Sequence, residues 1–187
     1  MNAKEKSLNR LYKARVAHLK WVNTIKLLVS GLNVDKSHLT LPIIQDSEVG
    51  KWYYNEAIQF SQFRSQSVLS EMEILLESMF NIYAKIYEIY FTQKQSTLKS
   101  ILGMKNNTLN RHEIELAGRY YEDIVKISDE FKSKLHTLER QMMAMQENEH
   151  ALVSHFEEEE EIVTVVSKKK VQVAEEESNY SYGPRSR

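Results

Sequence analysis

Apolar residues recur along this chain at alternating spacings of three and four residues, in three separate stretches. This spacing keeps one stripe of a helix facing a partner, so it predicts amphipathic helices rather than strands. The first stripe is Leu8, Leu11, Arg15, His18, Val22, Ile25, Val29 and Leu32, and the second is Leu69, Met72, Leu76, Met79, Tyr83, Ile86 and Tyr90. Between them, residues 33–49 predict a connecting loop that contains Pro42, and another helix is expected from Lys51 onward.

The third stripe is the longest and predicts a coiled-coil helix. It follows a polar stretch over 92–110, at whose end Asn110 and Glu113 have the spacing of a capping box. Its positions are Ile114, Ala117, Tyr121, Ile124, Ser128, Phe131, Leu135, Leu138, Met142, Met145, Glu149, Leu152 and Phe156. A repeat sustained over about six heptads is typical of a coiled coil, whose stripe must be covered by a second copy or by another part of the chain.

Two charges flank the third stripe and favour a second copy as its cover. Lys134 and Glu139 occupy positions that pair across the interface of a parallel dimer. We therefore expect a homo-oligomer assembled through this helix.

The stripes divide the chain into three parts. They are a helical bundle over 1–108, a coiled-coil helix over 109–156 and a charged tail over 157–187. Like charges are grouped in the tail, at 157–161 and 168–170 for example, and large apolar groups are few, which is typical of disorder. The predicted fold class is all-α, with an antiparallel bundle followed by a long coiled-coil helix and a disordered tail.

Composition excludes several kinds of protein. The five glycines and two prolines in 187 residues suit long helices, and the absence of cysteine excludes disulfides and thiolate metal ligands. No apolar run approaches the ~20 residues of a membrane span, and no secretory signal is evident, so we expect a cytoplasmic protein that does not contact a membrane. A net charge of −1 gives no broad attraction to nucleic acid.

The sequence offers little catalytic or metal-binding chemistry. No His-x-x-x-His pair occurs, whereas a zinc site needs three or four convergent ligands, so His136, His150 and His155 are expected to face solvent. Nothing around the acidic run 157–161 would separate the pKa values of two carboxyl groups. A phosphate-binding glycine loop and a nucleophile elbow are also missing from the sequence, so we predict no catalytic residues and no enzyme.

Three short motifs carry a resemblance to a known family. They are Ala17-His18-Leu19-Lys20-Trp21, then Gly50-Lys51-Trp52-Tyr53-Tyr54, then Ile82-Tyr83-Ala84-Lys85-Ile86-Tyr87. In this order, over about residues 8–91, the chain resembles the chemoreceptor zinc-binding (CZB) domain of bacteria. The resemblance implies a four-helix bundle that holds one zinc ion through three histidines and one cysteine.

The residues at the family's ligand positions differ from the family pattern. The resemblance assigns the first histidine to His18, whereas Ser47 stands at the cysteine position and Leu76 and Phe80 stand at the other two histidine positions. A serine hydroxyl is a poor substitute for a thiolate, and leucine and phenylalanine cannot coordinate a metal. We therefore expect no cofactor, with His18 as the remnant of a lost zinc site and apolar burial in place of the ion.

Members of this family are joined to chemoreceptors or to cyclases that make bis-cyclic nucleotide signals. This chain has neither a receptor signalling hairpin nor a catalytic domain, so the resemblance implies a bacterial cytoplasmic signalling or sensory accessory module that acts by protein–protein interaction. Chemoreceptor or cyclase components are the expected partners. The alternatives are a structural coiled-coil scaffold and a zinc-binding protein that uses His18 with non-standard ligands.

Overall fold

The computed structural model describes residues 1–32, 34, 39, 41–92 and 109–153, and all regular structure within these ranges is helical. The main helices are α1 (Ala3–Val29), α2 (Glu48–Asn55), α3 (Gln66–Tyr87) and α4 (Arg111–Ala144). Short 3-10 turns over Ile44–Asp46 and Ala57–Gln62 flank α2, and a π-helical turn over Glu88–Thr92 follows α3. The predicted all-α class is confirmed. The predicted boundary at residue 108 and the tail over 157–187 lie outside the described residues.

The helices begin and end at local sequence signals. Asn2 and Asn110 cap α1 and α4, and each forms a complete capping box with the glutamate three residues on. The box predicted at Asn110 is therefore confirmed. Just beyond α1, Gly31 adopts a φ of +72°, a left-handed conformation that favours glycine and terminates helices. None of the helices within the described ranges is both long and apolar enough to span a bilayer.

The long stripe of α4 is covered by the same chain. Helix α4 packs against α1 and, more extensively, against α3. The buried residues of α4 are Ala117, Ile124, Ser128, Phe131, Leu135, Leu138 and Met142, all of them members of the predicted stripe. Within α4 the stripe is open at its beginning, where Ile114 is 46% exposed. Both clusters of buried residues draw on α1, α3 and α4, so these helices share one core.

The charges beside the stripe also have partners within the chain. Lys134 pairs with Glu71 on α3, and Glu139 pairs with Arg15 on α1. The sequence pattern assigned Lys134 and Glu139 to contacts across a dimer, and this assignment is not needed to explain them. A heptad pattern specifies which positions flank a buried stripe and leaves open which helix faces it.

The predicted helix does not run unbroken to residue 156. Helix α4 ends at Ala144, and Met145 has an extended backbone with φ −72° and ψ 152°. A further helical segment occupies 147–153. His150 in this segment is fully buried, so the expectation that it faces solvent is wrong. Its Nε2–H donates to the carbonyl of Met142 at 2.9 Å, so this buried donor has a partner.

The other histidines expected to face solvent fall into two cases. The side chain of His136 is 63% exposed, as predicted. His155 lies outside the described residues.

Burial of the stripe within one chain predicts how its residues contribute to stability. Replacing the fully buried Leu135 by alanine should lower the free energy of unfolding by about 2–5 kcal/mol, because the change removes packed methyl groups and leaves a cavity. Ile114→Ala, at the exposed beginning of the same stripe, is the matched control and should cost less than about 1 kcal/mol. Urea unfolding followed by circular dichroism measures both values.

The same experiment tests whether a second copy covers the stripe. With cover from α1 and α3, the urea midpoint of the unsubstituted protein stays constant over roughly a hundredfold range of protein concentration. A midpoint that rises with concentration would contradict cover by the same chain.

Candidate functional site

The residue that the resemblance assigns to the zinc site, His18, lies in the interior of the bundle. It is fully buried on α1, and its Nε2 lies 2.8 Å from the hydroxyl oxygen of Ser128 on α4. Both residues are polar members of mostly apolar stripes. Since a buried polar group left without a partner costs about 1–3 kcal/mol, the hydrogen bond between them satisfies two groups at once. Nδ1 of His18 has no hydrogen-bond partner in the part of the chain that the structure describes.

Aromatic rings surround His18 and extend from it into α3. The imidazole lies 4.9 Å from the ring of Phe131 and 6.2 Å from that of Trp21, centroid to centroid. The indole of Trp21 stacks on Phe80 at 4.9 Å with an interplanar angle of 6°, and it meets Tyr83 edge-on at 5.4 Å. Such pairs contribute about 0.5–1.5 kcal/mol beyond burial, so this group joins α1 to α3 and α4.

The two remaining ligand positions are also occupied by groups that serve the fold. Leu76 is fully buried in the same cluster as Phe131. Ser47 caps α2, and its hydroxyl donates to the carbonyl of Ile44 at 2.6 Å and accepts from the amide of Gly50 at 3.0 Å. No group of three or more His, Asp or Glu side chains positioned to share an ion occurs within the described ranges. The side chains at the four positions, His18, Ser47, Leu76 and Phe80, therefore do not fit a four-ligand zinc site.

A close backbone contact explains why the second motif begins with glycine. Gly50 lies in the first turn of α2, and a Cβ added there would fall 1.9 Å from the carbonyl oxygen of Ile44. No side chain fits at that distance, so the close approach of the 3-10 turn to α2 requires glycine. The hydroxyl of Ser47 bonds to both residues at this approach, through the carbonyl of Ile44 and the amide of Gly50.

The environment of His18 keeps its imidazole neutral. Burial, and to a smaller extent the positive charge of Lys132, lower the pKa of His18 from 6.5 to about 4. At neutral pH the ring is therefore an uncharged hydrogen-bonding group. A proton on it would place a charge inside the core.

An open groove of about 830 Å³ adjoins this region, between α1 and the start of α2. Its lining residues are Tyr12, Lys13, Val16, Ala17, Lys20, Trp21, Asn23, Thr24, Asp46, Ser47, Glu48 and Val49. The lining includes Trp21 of the first motif and Ser47, which the resemblance assigns to a ligand position. Charges of both signs border the groove, so it suits a surface that carries mixed charge and some apolar area.

Sequence reasoning located His18 but missed Ser128 as its partner and His150 as a buried group. The signal for Ser128 was present, because a serine in an apolar stripe must find a hydrogen-bonding partner. Comparisons of the chain with models of known families, with curated proteins and with solved structures found no match. The resemblance to the CZB domain accordingly remains a hypothesis carried by the motif residues.

Acid should destabilise the protein through His18. Because the folded-state pKa is about 4 and the unfolded value about 6.5, the unfolded chain binds the proton first as the pH falls. Stability contributed by the neutral ring is complete above pH ~6.5 and is lost down to pH ~4, by about 3 kcal/mol. Urea midpoints measured from pH 7 to pH 4 should show this slope, and His18→Gln should remove it.

Ser128→Ala is the control that tests whether the acid sensitivity comes from the burial of His18 or from its hydrogen bond to Ser128. It should lower stability by about 1–3 kcal/mol at all pH values and leave the acid slope in place, since burial is the larger cause of the pKa shift. An unchanged slope in His18→Gln would show that other groups produce the acid sensitivity.

The ligand positions also predict how the protein responds to zinc. Purified without a metal-binding tag, it should contain less than about 0.1 zinc per chain and unfold at the same temperature with and without a chelator, because Leu76 and Phe80 supply no donor atoms. The variant Ser47→Cys/Leu76→His/Phe80→His should bind one zinc ion together with His18 if the resemblance is correct. Elemental analysis measures both.

The matched control adds His18→Gln to that triple variant, which should reduce the affinity for zinc by at least about tenfold. Stoichiometric zinc in the unsubstituted protein, lost in His18→Gln, would instead support the zinc-binding alternative. A folded triple variant that binds no zinc would count against the resemblance.

Proposed function

We propose that this chain is a non-enzymatic bacterial signalling accessory module, related to the CZB domain, that acts in the cytoplasm by binding a protein partner. The observation that carries the proposal is the meeting of His18, Trp21 and Phe80 in one group of neighbouring rings. These residues come from the first motif and from a family ligand position, far apart in sequence. In a bundle derived from a zinc-binding ancestor, the residues at the former ligand positions should lie close together, and the proximity of these residues supports such an origin.

In this proposal, side-chain packing holds the helices together, which is the structural role that a zinc ion would have. A zinc ion in such a bundle would tie together the elements that carry its ligands. Here the His18–Ser128 hydrogen bond links α1 to α4, and the stack of Trp21 on Phe80 links α1 to α3. A module held together in this way needs no ion to fold, so we propose that its signal is the binding of a partner.

The groove between α1 and α2 is the surface that we propose for this partner. It borders Trp21 of the first motif and Ser47 at a family ligand position, so an occupant would contact elements that carry these positions. Tyr12 offers a ring that is 59% exposed at this groove, and Lys13 and Glu48 offer charges of opposite sign. Exposed aromatic rings with charged neighbours are typical of protein interfaces.

The alternatives of a coiled-coil scaffold and a zinc-binding protein are less well supported. A scaffold that associates through α4 needs the stripe of that helix for a second copy, and the stripe is buried against α1 and α3. A zinc-binding protein needs further ligands near His18, whose Nε2 is already engaged with Ser128.

Crosslinking in a bacterial host that encodes the chain, followed by affinity capture of the full chain and mass spectrometry, tests the proposed function. We expect a chemoreceptor or cyclase component to be recovered. Tyr12→Glu should reduce its recovery about tenfold or more, because the substitution places a charge in the contact. Ile74→Glu is the matched control, since Ile74 on α3 is 62% exposed and lies outside the groove lining.

Three outcomes would count against this proposal in different ways. Recovery of the chain alone would favour a scaffold. Equal recovery with both variants would place the contact elsewhere on the surface. Loss of the partner with Ile74→Glu alone would assign it to α3.

A further inference from the structure

Residues 145–153 follow the end of α4 and close against the beginning of α1. We propose that this segment, the strap, switches between the closed form of this structure and an open form in which α4 continues as one helix. The closed strap covers apolar surface, so opening it exposes a second interaction site. This goes beyond the proposed function and does not depend on the family resemblance.

The closed strap is held to α1 by reciprocal contacts between helix ends. Lys4 Nζ donates to the carbonyls of Met143 and Met145 at 2.5 and 2.9 Å. In return, the carboxylate of Glu147 accepts from the amides of Ala3 and Lys4 at 2.7 and 3.4 Å. Each charge lies at the helix end of opposite partial charge, so both contacts are favourable.

Burial supplies the second part of the closed form. Met145 and Val153 belong to the first cluster of buried residues, with exposures of 8% and 3%. His150 is fully buried, and its ring lies 5.5 Å from that of Phe60. The strap therefore covers one end of the bundle core.

The local sequence of the strap favours the open form. Residues 142–153 contain no glycine or proline and are rich in methionine, alanine, glutamine, glutamate and leucine, which are strong helix formers. Helices normally break at residues that oppose them, and none is present here. Gln146, whose amide donates to the carboxylate of Glu149 at 2.7 Å, completes only half of a capping box. The break is thus maintained by tertiary contacts against the local preference.

The stripe of α4 continues through the strap in the open form. Met145 and Leu152 are seven residues apart and lie on one face of a continuous helix, together with Met142. In the closed form this face is divided, because Met145 is buried while Leu152 is 52% exposed. Opening would reunite the two as an apolar stripe and would uncover Phe60.

Interactions of Lys4 and Glu147 with helix ends are weakened by salt, since most of these atoms are exposed. Together they contribute about 1–2 kcal/mol, which corresponds to about a tenfold change in the ratio of open to closed strap. The switch therefore responds to charge at the beginning of α1 as well as to a partner that binds the open form.

Distance measurements between two spin labels test the proposal on the full chain. The protein has no cysteine, so Lys6→Cys on α1 and Leu152→Cys on the strap give unique labelling sites. Lys4→Met/Glu147→Gln should raise the ratio of open to closed strap about tenfold, with a label separation longer by about 10 Å or more in the open form. High salt should shift the parent protein in the same direction.

Adding Gln146→Pro should abolish the open population. Proline at this position breaks a continuous helix. In the closed form it removes the hydrogen bond from the Gln146 amide to Glu149, while Met145 before it already has the extended backbone that a residue preceding proline prefers. Lys51→Met/Glu48→Gln, which removes an exposed lysine–glutamate pair on α2, is the charge-matched control and should leave the distances unchanged.

Two outcomes would overturn the proposal. One is a single short distance in the Lys4→Met/Glu147→Gln variant. The other is a long-distance population that persists with Gln146→Pro, which would show an unfolded strap rather than a continuous helix.

Discussion

The burial of the long stripe of α4 against α1 and α3 is the constraint on which the rest of this structure depends. A helix from Arg111 to Ala144 cannot leave its apolar face in water, because burying each large side chain is worth about 1.5–3 kcal/mol. Once α1 and α3 cover that face, several other contacts follow. Arg15 and Glu71 come within reach of the charges beside the stripe, and Ser128 is brought against His18.

The stripe itself could be predicted from the sequence, whereas its cover could not. Periodicity is a property of one helix, and it identifies buried positions such as Phe131 and Leu135 wherever the partner comes from. The charges of Lys134 and Glu139 also do not reveal which helix covers the stripe. A charge beside a buried stripe can pair with an opposite charge on another helix of the same chain as well as on a second copy, and here the partners are Glu71 and Arg15. Which helix packs there depends on the connections and on competing surfaces, which a pattern in a single helix does not contain.

For the candidate site, the sequence indicated an inward-facing residue and could not supply its neighbours. His18 was recognisable as a polar residue in an apolar stripe, and Ser128 was the corresponding exception on α4. Pairing the two required knowing that α1 and α4 are adjacent. The contact of Trp21 with Phe80 was similarly hidden, because the resemblance treated Phe80 only as a lost ligand. Gly50 shows the opposite case, in which a motif residue was located first and its reason, the close carbonyl of Ile44, came from the structure.

The strap marks the place where local and tertiary preferences disagree. Elsewhere capping boxes, stripes and the turn at Gly31 favour the same arrangement, which is the consistency expected of a sequence that specifies one fold. At Met145 the local sequence favours a helix and the structure has a corner. The strap contacts the first turn of α1, and His18 lies on that same helix about 20 Å further along. Because α1 carries both His18 and the contact that closes the strap, a partner that displaces α1 at the groove would also act on Lys4.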